Sequence, residues 1–86
     1  MALNILKDKE IKEAKAKEKL YFFNDGGGLR LAVKPNGTKL WEFRFTINSK
    51  RNVTTFKTYP TVTLEQARRK RDEYQKLIND GINPIE

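Results

Sequence analysis

Three glycines beside an aspartate, Asp25-Gly26-Gly27-Gly28, are the residues of this 86-residue chain that most resemble a phosphate cradle. Such cradles need a helix after the glycines, because the helix N-terminus holds the anion. A dinucleotide loop has the form strand, G-x-G-x-x-G, helix, and a nucleotide-binding P-loop ends in Gly-Lys-Ser/Thr before its helix. Here the glycines lead into Leu29-Arg30-Leu31-Ala32-Val33, which alternates like a strand. They read instead as a turn with positive φ that brings the backbone close to a neighbour. Asp25 then reads as a residue bonding backbone N–H groups within that turn.

Catalysis has few candidates. The chain contains no histidine and no cysteine, so the commonest general base, the thiol nucleophile and the usual zinc ligands are missing. A carboxylate pair or a Ser/Lys arrangement would have to serve, yet residues 25–60 hold only two acids, Asp25 and Glu42. Tyr21, Tyr59 and Tyr74 are explained by packing. The expectation is a non-catalytic domain with no cofactor and no metal.

The basic residues carry more information. Of the net charge of +7, residues 1–24 contribute +2 from six Lys and four acids. Residues 25–60 contribute +5 from seven Lys/Arg and two acids, and residues 61–86 are neutral, with five of each sign. Charge gathered in the middle third points to an anionic partner more than to general solubility.

The elements that must position these cations follow from periodicity. Around Leu6, Ile11 and Ala14 the spacing predicts a short N-terminal helix, with Asp8 capping its first turn. Leu20–Asn24 is a brief apolar lead-in strand. Leu29–Lys34 alternates, Asn36-Gly37 is a tight-turn signal, and Leu40–Ile47 alternates again, with Trp41, Phe43, Phe45 and Ile47 on one side. Asn48-Ser49-Lys50 forms a second turn. Arg51–Tyr59 is a third strand with Thr54 and Phe56 inward. Pro60 ends it. Thr63 and Gln66 form a capping box, with Val62 and Ala67 placed as a hydrophobic staple. The helix they open has an apolar stripe of Leu64, Ala67, Tyr74, Leu77 and Ile78, interrupted by Lys70 and Arg71, and Gly81 then Pro84 stop it. The expected fold is α+β: a three-stranded antiparallel β-sheet packed on one C-terminal α-helix, with a short N-terminal helix and a lead-in strand, in a single domain over residues 1–86. No apolar run approaches the ~20 residues of a membrane span, and Met1–Glu10 lacks the core of a signal peptide. A cytoplasmic protein without membrane contact is the simplest expectation.

A helix on one face leaves the other face of the sheet to solvent. That outward face carries Arg30, Ala32, Lys34, Leu40, Glu42, Arg44, Thr46, Arg51, Val53, Thr55 and Lys57. Such a face can enter the major groove of duplex DNA, where Arg pairs with guanine O6 and N7 and Thr or Val meets a thymine methyl. The base-reading candidates are Arg30, Ala32, Glu42, Arg44, Thr46, Arg51, Val53 and Thr55. Glu42 either accepts from cytosine N4 or pairs with a neighbouring Arg. Lys34, Lys39, Lys50 and Lys57, at strand ends and turns, are the phosphate candidates. The same pattern also fits the plain solvated side of an amphipathic sheet, and the spacing leaves both open. The run Arg68-Arg69-Lys70-Arg71 scatters around its helix. Most of it should serve the structure, with Arg68 or Arg69 as a candidate phosphate contact.

Several motifs in order resemble one family. They are Asp25–Leu29 (DGGGL), Lys39–Phe45 (KLWEFRF), Tyr59-Pro60 and Leu64–Arg68 (LEQAR), within a likeness that spans nearly the whole chain. Together they resemble the N-terminal arm-type DNA-binding domain of prophage and genomic-island integrases, which are tyrosine recombinases. The resemblance implies a three-stranded sheet that docks in the major groove of arm-type sites flanking an attachment core. It also implies a longer bacterial, nucleoid-associated protein in which core-binding and catalytic domains follow, this chain being an excised module or a remnant. Double-stranded DNA of the attachment-site arms is then the expected partner, with other integrase protomers or a directionality factor as further candidates. An alternative expectation is a protein-interaction module that contacts those proteins and has only weak DNA affinity. Two positions depart from the family: Lys7 stands where it usually has a capping Thr, and Lys57 where it often has Gly.

Overall fold

The computed structural model describes residues 5–85; the ends of the expected 1–86 domain, Met1–Asn4 and Glu86, lie outside the described residues. The chain runs α1 (Asp8–Glu13), β1 (Tyr21–Gly26), β2 (Leu29–Val33), β3 (Lys39–Ile47), β4 (Lys50–Tyr59) and α2 (Leu64–Asn79). The class is α+β, but the sheet has four antiparallel strands in the order β1-β2-β3-β4, not three. The expected lead-in strand is β1. It pairs with β2 from Tyr21↔Val33 to Asn24↔Arg30.

The glycines explain the extra strand. Gly26, Gly27 and Gly28 have φ of 95°, 63° and 90°, a left-handed path that folds β1 back onto β2 and that side chains resist. Gly28 also makes the close approach expected of this turn. Its carbonyl accepts the Arg44 N–H at 2.9 Å, and a Cβ built on it would lie 2.2 Å from the Arg44 carbonyl oxygen.

The other turns follow their chemistry. Asn48 and Ser49, with φ of 52° and 63°, close the β3–β4 hairpin through the type I′ path that matches strand twist. The β2–β3 connection is a longer form around Asn36-Gly37. Gly37 N–H donates to the Lys34 carbonyl at 2.9 Å, Lys34 N–H to Thr38 at 2.8 Å, and Gly37 takes the positive φ of 91°.

The inward face is an aromatic slab. Leu29↔Phe43 and Leu31↔Trp41 pair across β2 and β3. Phe43 stacks between Phe45 and Phe56 at centroid distances of 5.5 and 5.7 Å, while Tyr74 of α2 meets Phe43 and Phe56 edge-on. Trp41, fully buried, satisfies its indole N–H on the Val62 carbonyl at 2.7 Å. Helix α2 covers this slab with Leu64, Ala67, Tyr74 and Ile78. Its capping box is formed: Gln66 N–H donates to Thr63 Oγ1, and Thr63 N–H to Gln66 Oε1. Gly81, at φ 77°, follows its end.

Helix α1 begins at Asp8, as the Lys7 departure implies. Lys7 holds the N-cap position without a side-chain cap, and Asp8 lies in the first turn, where it complements the helix dipole but does not cap it. Leu6 and Ile11 are buried in the core cluster, Leu6 beside Asp25 and Ile11 beside Lys39.

One irregularity concerns β4. Glu42 pairs with Thr55 and Leu40 with Thr58, so Phe56 and Lys57 together oppose Trp41. This β-bulge puts Lys57 at φ 71°, a conformation that favours the Gly often found there in the family it resembles.

Candidate nucleic-acid interface

The outward face is laid out by register. Arg30↔Glu42↔Thr55 form one cross-strand row, Arg44↔Val53 the next and Thr46↔Arg51 the last. Arg44, Thr46, Arg51, Val53 and Thr55 are all exposed. Val53, 54% exposed, is an apolar side chain with no core to enter. Arg44 and Arg51 are diagonal neighbours on adjacent strands, within about 7–8 Å of each other. Neither is ion-paired with a described residue.

Arg30 is different. Its Nε donates to Glu42 Oε1 at 2.8 Å, its Nη2 lies 2.7 Å from the same oxygen in an ion pair, and its guanidinium carbon lies 3.9 Å from the centroid of the Phe22 ring. Of the two roles left open for Glu42, the structure shows the pairing with Arg. Ala32 points outward but is not available: flanked by Phe22 on β1 and Leu40 on β3, it is 1% exposed. A methyl between two larger neighbours is covered, which alternation alone does not reveal.

The four lysines separate. Lys34 is exposed in the β2–β3 loop. Lys57, turned by the bulge, leaves the flat face and lines a cleft along the β4 edge with Thr55, Val62, Lys70 and Tyr74. Lys50 pairs with Ile47, whose side chain is in the core, so it lies at the hairpin tip on the helix side. Lys39 faces inward and is committed. Its ammonium donates to the Ile11 carbonyl at 2.7 Å and caps the end of α1. A cation near a helix C-terminus is favoured by the dipole, so Lys39 secures α1 rather than facing an external phosphate.

The basic run of α2 is also accounted for. Asp25 is fully buried and does not bond within its own turn. Its carboxylate accepts Leu6 N–H at 2.8 Å, Arg68 Nε and Nη2 at 2.9 Å each, and Arg71 Nη1 at 3.2 Å. Arg68 also donates to the Leu6 carbonyl. Hydrogen bonding to Asp25 raises the Arg68 pKa above its ordinary value, with burial opposing. Arg69 pairs with Glu65 at i,i+4. Of the two residues that interrupt the apolar stripe of α2, Arg71 therefore belongs, with Arg68, to an ionic clamp on buried Asp25 that joins the N-terminal segment, the glycine turn and α2, while Lys70 is exposed.

Both acids of the middle third are consumed, Asp25 inside and Glu42 by Arg30. Among the described residues, the outward face is left with Arg44 and Arg51 without an ion pair, a potential suited to a polyanion. Sequence reasoning missed Phe22 and Asn24, which join this face because β1 joins the sheet, and Lys70, which the fold sets beside Lys57. The aromatic run Tyr21–Phe23 directly before a glycine turn, a strand-favouring composition, was the available signal for the first two. Among the described residues no helix is long and apolar enough to cross a membrane.

Comparison with known proteins shows what the chain is similar to. The model of the family described as Arm DNA-binding domain matches residues 6–86. The chain is similar to the integrase of Enterobacteria phage P4, 44% identical over 81 residues that cover 92% of this chain and 18% of that protein. It is similar to prophage integrase IntZ of Escherichia coli strain K12, 40% identical over 88 residues covering all of this chain and 22% of that protein. It is likewise similar to the integrase of Shigella phage Sf6, 43% identical over 77 residues covering 90% and 20%. The chain thus spans about a fifth of the length of these relatives.

Proposed function

This chain belongs to the Arm DNA-binding domain family of integrases, and we propose that it is a single DNA-binding domain that places the outward face of its sheet in the major groove of arm-type sites. The observation that carries the proposal is the exposed pair Arg44 and Arg51, set among Thr46, Val53 and Thr55 and ion-paired with no acid among the described residues. Arg supplies a bidentate contact to guanine, and the β-branched residues supply methyl contacts to thymine. The bulk of the sheet limits how it can dock. Four strands at about 4.8 Å spacing set the outer axes roughly 14 Å apart, wider than the ~12 Å groove. Strands β2–β4 fit if they run along the groove, and β1 then rides its rim. Lys34 and Lys57 at the margins, with Lys70 of α2 beside Lys57, are placed for flanking phosphates. The parent protein is a tyrosine recombinase in this proposal, and the domain anchors it to DNA during integration without performing chemistry itself.

The test is binding of the purified chain to arm-site and random duplexes across a salt series. Arg44→Ala should weaken arm-site binding by about 1–3 kcal/mol while lowering random-duplex binding far less. Arm-site affinity unchanged in a folded Arg44→Ala variant refutes the assignment of this face. Chemical-shift changes confined to α2, on adding duplex or a partner integrase, would favour the protein-interaction alternative.

A further inference from the structure

We propose that Phe22 and Glu42 are positioning residues that make Arg30 a pre-set reader of a single guanine, an inference that rests on the DNA-binding reading above. A free arginine must give up rotamer freedom to make a bidentate contact, and that cost subtracts from discrimination. Arg30 has already given it up. Glu42 Oε1 takes the Nε–H at 2.8 Å and lies 2.7 Å from Nη2 in the ion pair. Phe22 lies against the guanidinium, with the central carbon 3.9 Å over the ring centroid. Even with one N–H of Nη2 engaged by that carboxylate, three of the five guanidinium N–H groups remain on Nη1 and Nη2. A guanine needs two, one for O6 and one for N7.

The arrangement is suited to orientation more than to attraction. Glu42 costs net charge on a face that would meet phosphates, so as a plain affinity device it is counterproductive. Phe22 is 39% exposed on an edge strand and is not among the core side chains. Its place on the face is explained by the cation–π contact it makes with Arg30. Arg44 and Arg51 have no ion pair or ring contact among the described residues and retain their freedom. The face thus carries one fixed arginine beside two adaptable ones.

The experiment starts from duplexes selected in vitro by the wild-type chain, with each guanine replaced in turn by 7-deazaguanine or by another base. Arg30→Ala should lose roughly five- to hundred-fold discrimination at one guanine. Glu42→Gln and Phe22→Leu should lose at least about threefold at that same guanine and at no other, while Phe22→Tyr retains it. Glu42→Gln should also bind random duplex more tightly, because one negative charge is gone. Opposite changes in specific discrimination and random affinity are the signature of positioning, which general loss of structure would not produce. If Glu42→Gln raises specific and random affinity by the same factor, Glu42 only dampens charge and the proposal fails. If Arg44→Ala lowers specificity but Arg30→Ala does not, the DNA-binding reading stands and this proposal falls alone. If the wild-type chain selects no sequence, both fall.

Discussion

Replacing Asp25 by Ala should cost this domain about 3–5 kcal/mol. The carboxylate is 0% exposed and answers four donors: Leu6 N–H, two from Arg68 and one from Arg71, which is itself 3% exposed. Hydrogen bonds to charged groups contribute about 1.5–3 kcal/mol each, but desolvation of three charges offsets much of that sum. The larger effect is what the substitution strands. Arg71 keeps its charge in the interior and loses the buried one of its carboxylate partners, while the exposed Asp72 still accepts from its Nε at 3.0 Å, and removing one partner of a buried pair costs up to about 3–5 kcal/mol. A domain of this size has roughly 4–13 kcal/mol of stability in total, so the loss should exceed about 12 °C in melting temperature. Urea denaturation with an unchanged m-value measures it. Adding Arg71→Met to Asp25→Ala should recover part of the loss by removing a buried charge that has lost its buried partner, a non-additivity that a double-mutant cycle reads directly. Arg68→Ala should destabilise as well while leaving the salt dependence of DNA binding as it is, because Arg68 faces Asp25 and not a phosphate. A cost below about 1 kcal/mol for Asp25→Ala, or full additivity with Arg71→Met, would refute the clamp.

Gly28→Ala should destabilise by more than about 2 kcal/mol. Its φ of 90° alone costs a side chain about 1–2 kcal/mol, and the new Cβ would meet the Arg44 carbonyl oxygen at 2.2 Å. A folded Gly28→Ala variant with wild-type denaturation midpoint would show that β2 and β3 are not held this closely. Lys57→Gly should instead raise stability by about 0.5–1 kcal/mol, since relief of the left-handed φ exceeds the extra unfolded-state freedom of glycine. The same variant should reduce the salt slope of duplex binding by about 0.9 if Lys57 meets a phosphate. A lower melting temperature, or a slope that does not move, contradicts the respective half of that prediction.

Local patterns in the sequence determined the local structure. Alternation in Leu29–Val33 and Leu40–Ile47 fixed which side chains face the slab, because successive strand residues point to opposite faces. Thr63 and Gln66 marked the start of α2 because the orphan N–H groups of a helix take their partners within one turn. Asn48-Ser49 and Asn36-Gly37 marked hairpins because few residues accept positive φ. The glycines at 26–28 were legible as a turn, and the resemblance to arm-type domains was carried by such turn and strand motifs.

Tertiary structure alone decided which charges remain available. Asp25 finds Arg68 and Arg71 across 43 and 46 residues of sequence, Lys39 finds the end of α1 across 28, and Arg30 finds Glu42 only once β2 and β3 are in register. An ionic side chain is long and its partner can come from any element, so its sequence neighbours do not predict its commitment. Burial settles it, since a charge taken out of water must be paired. The lead-in strand was legible in the sequence, but its membership of the sheet as a fourth strand was decided by β2, which offers it hydrogen bonds. The sequence thus located a basic face, and the fold reduced it to a fixed Arg30, an exposed Arg44 and Arg51, and lysines at the margins.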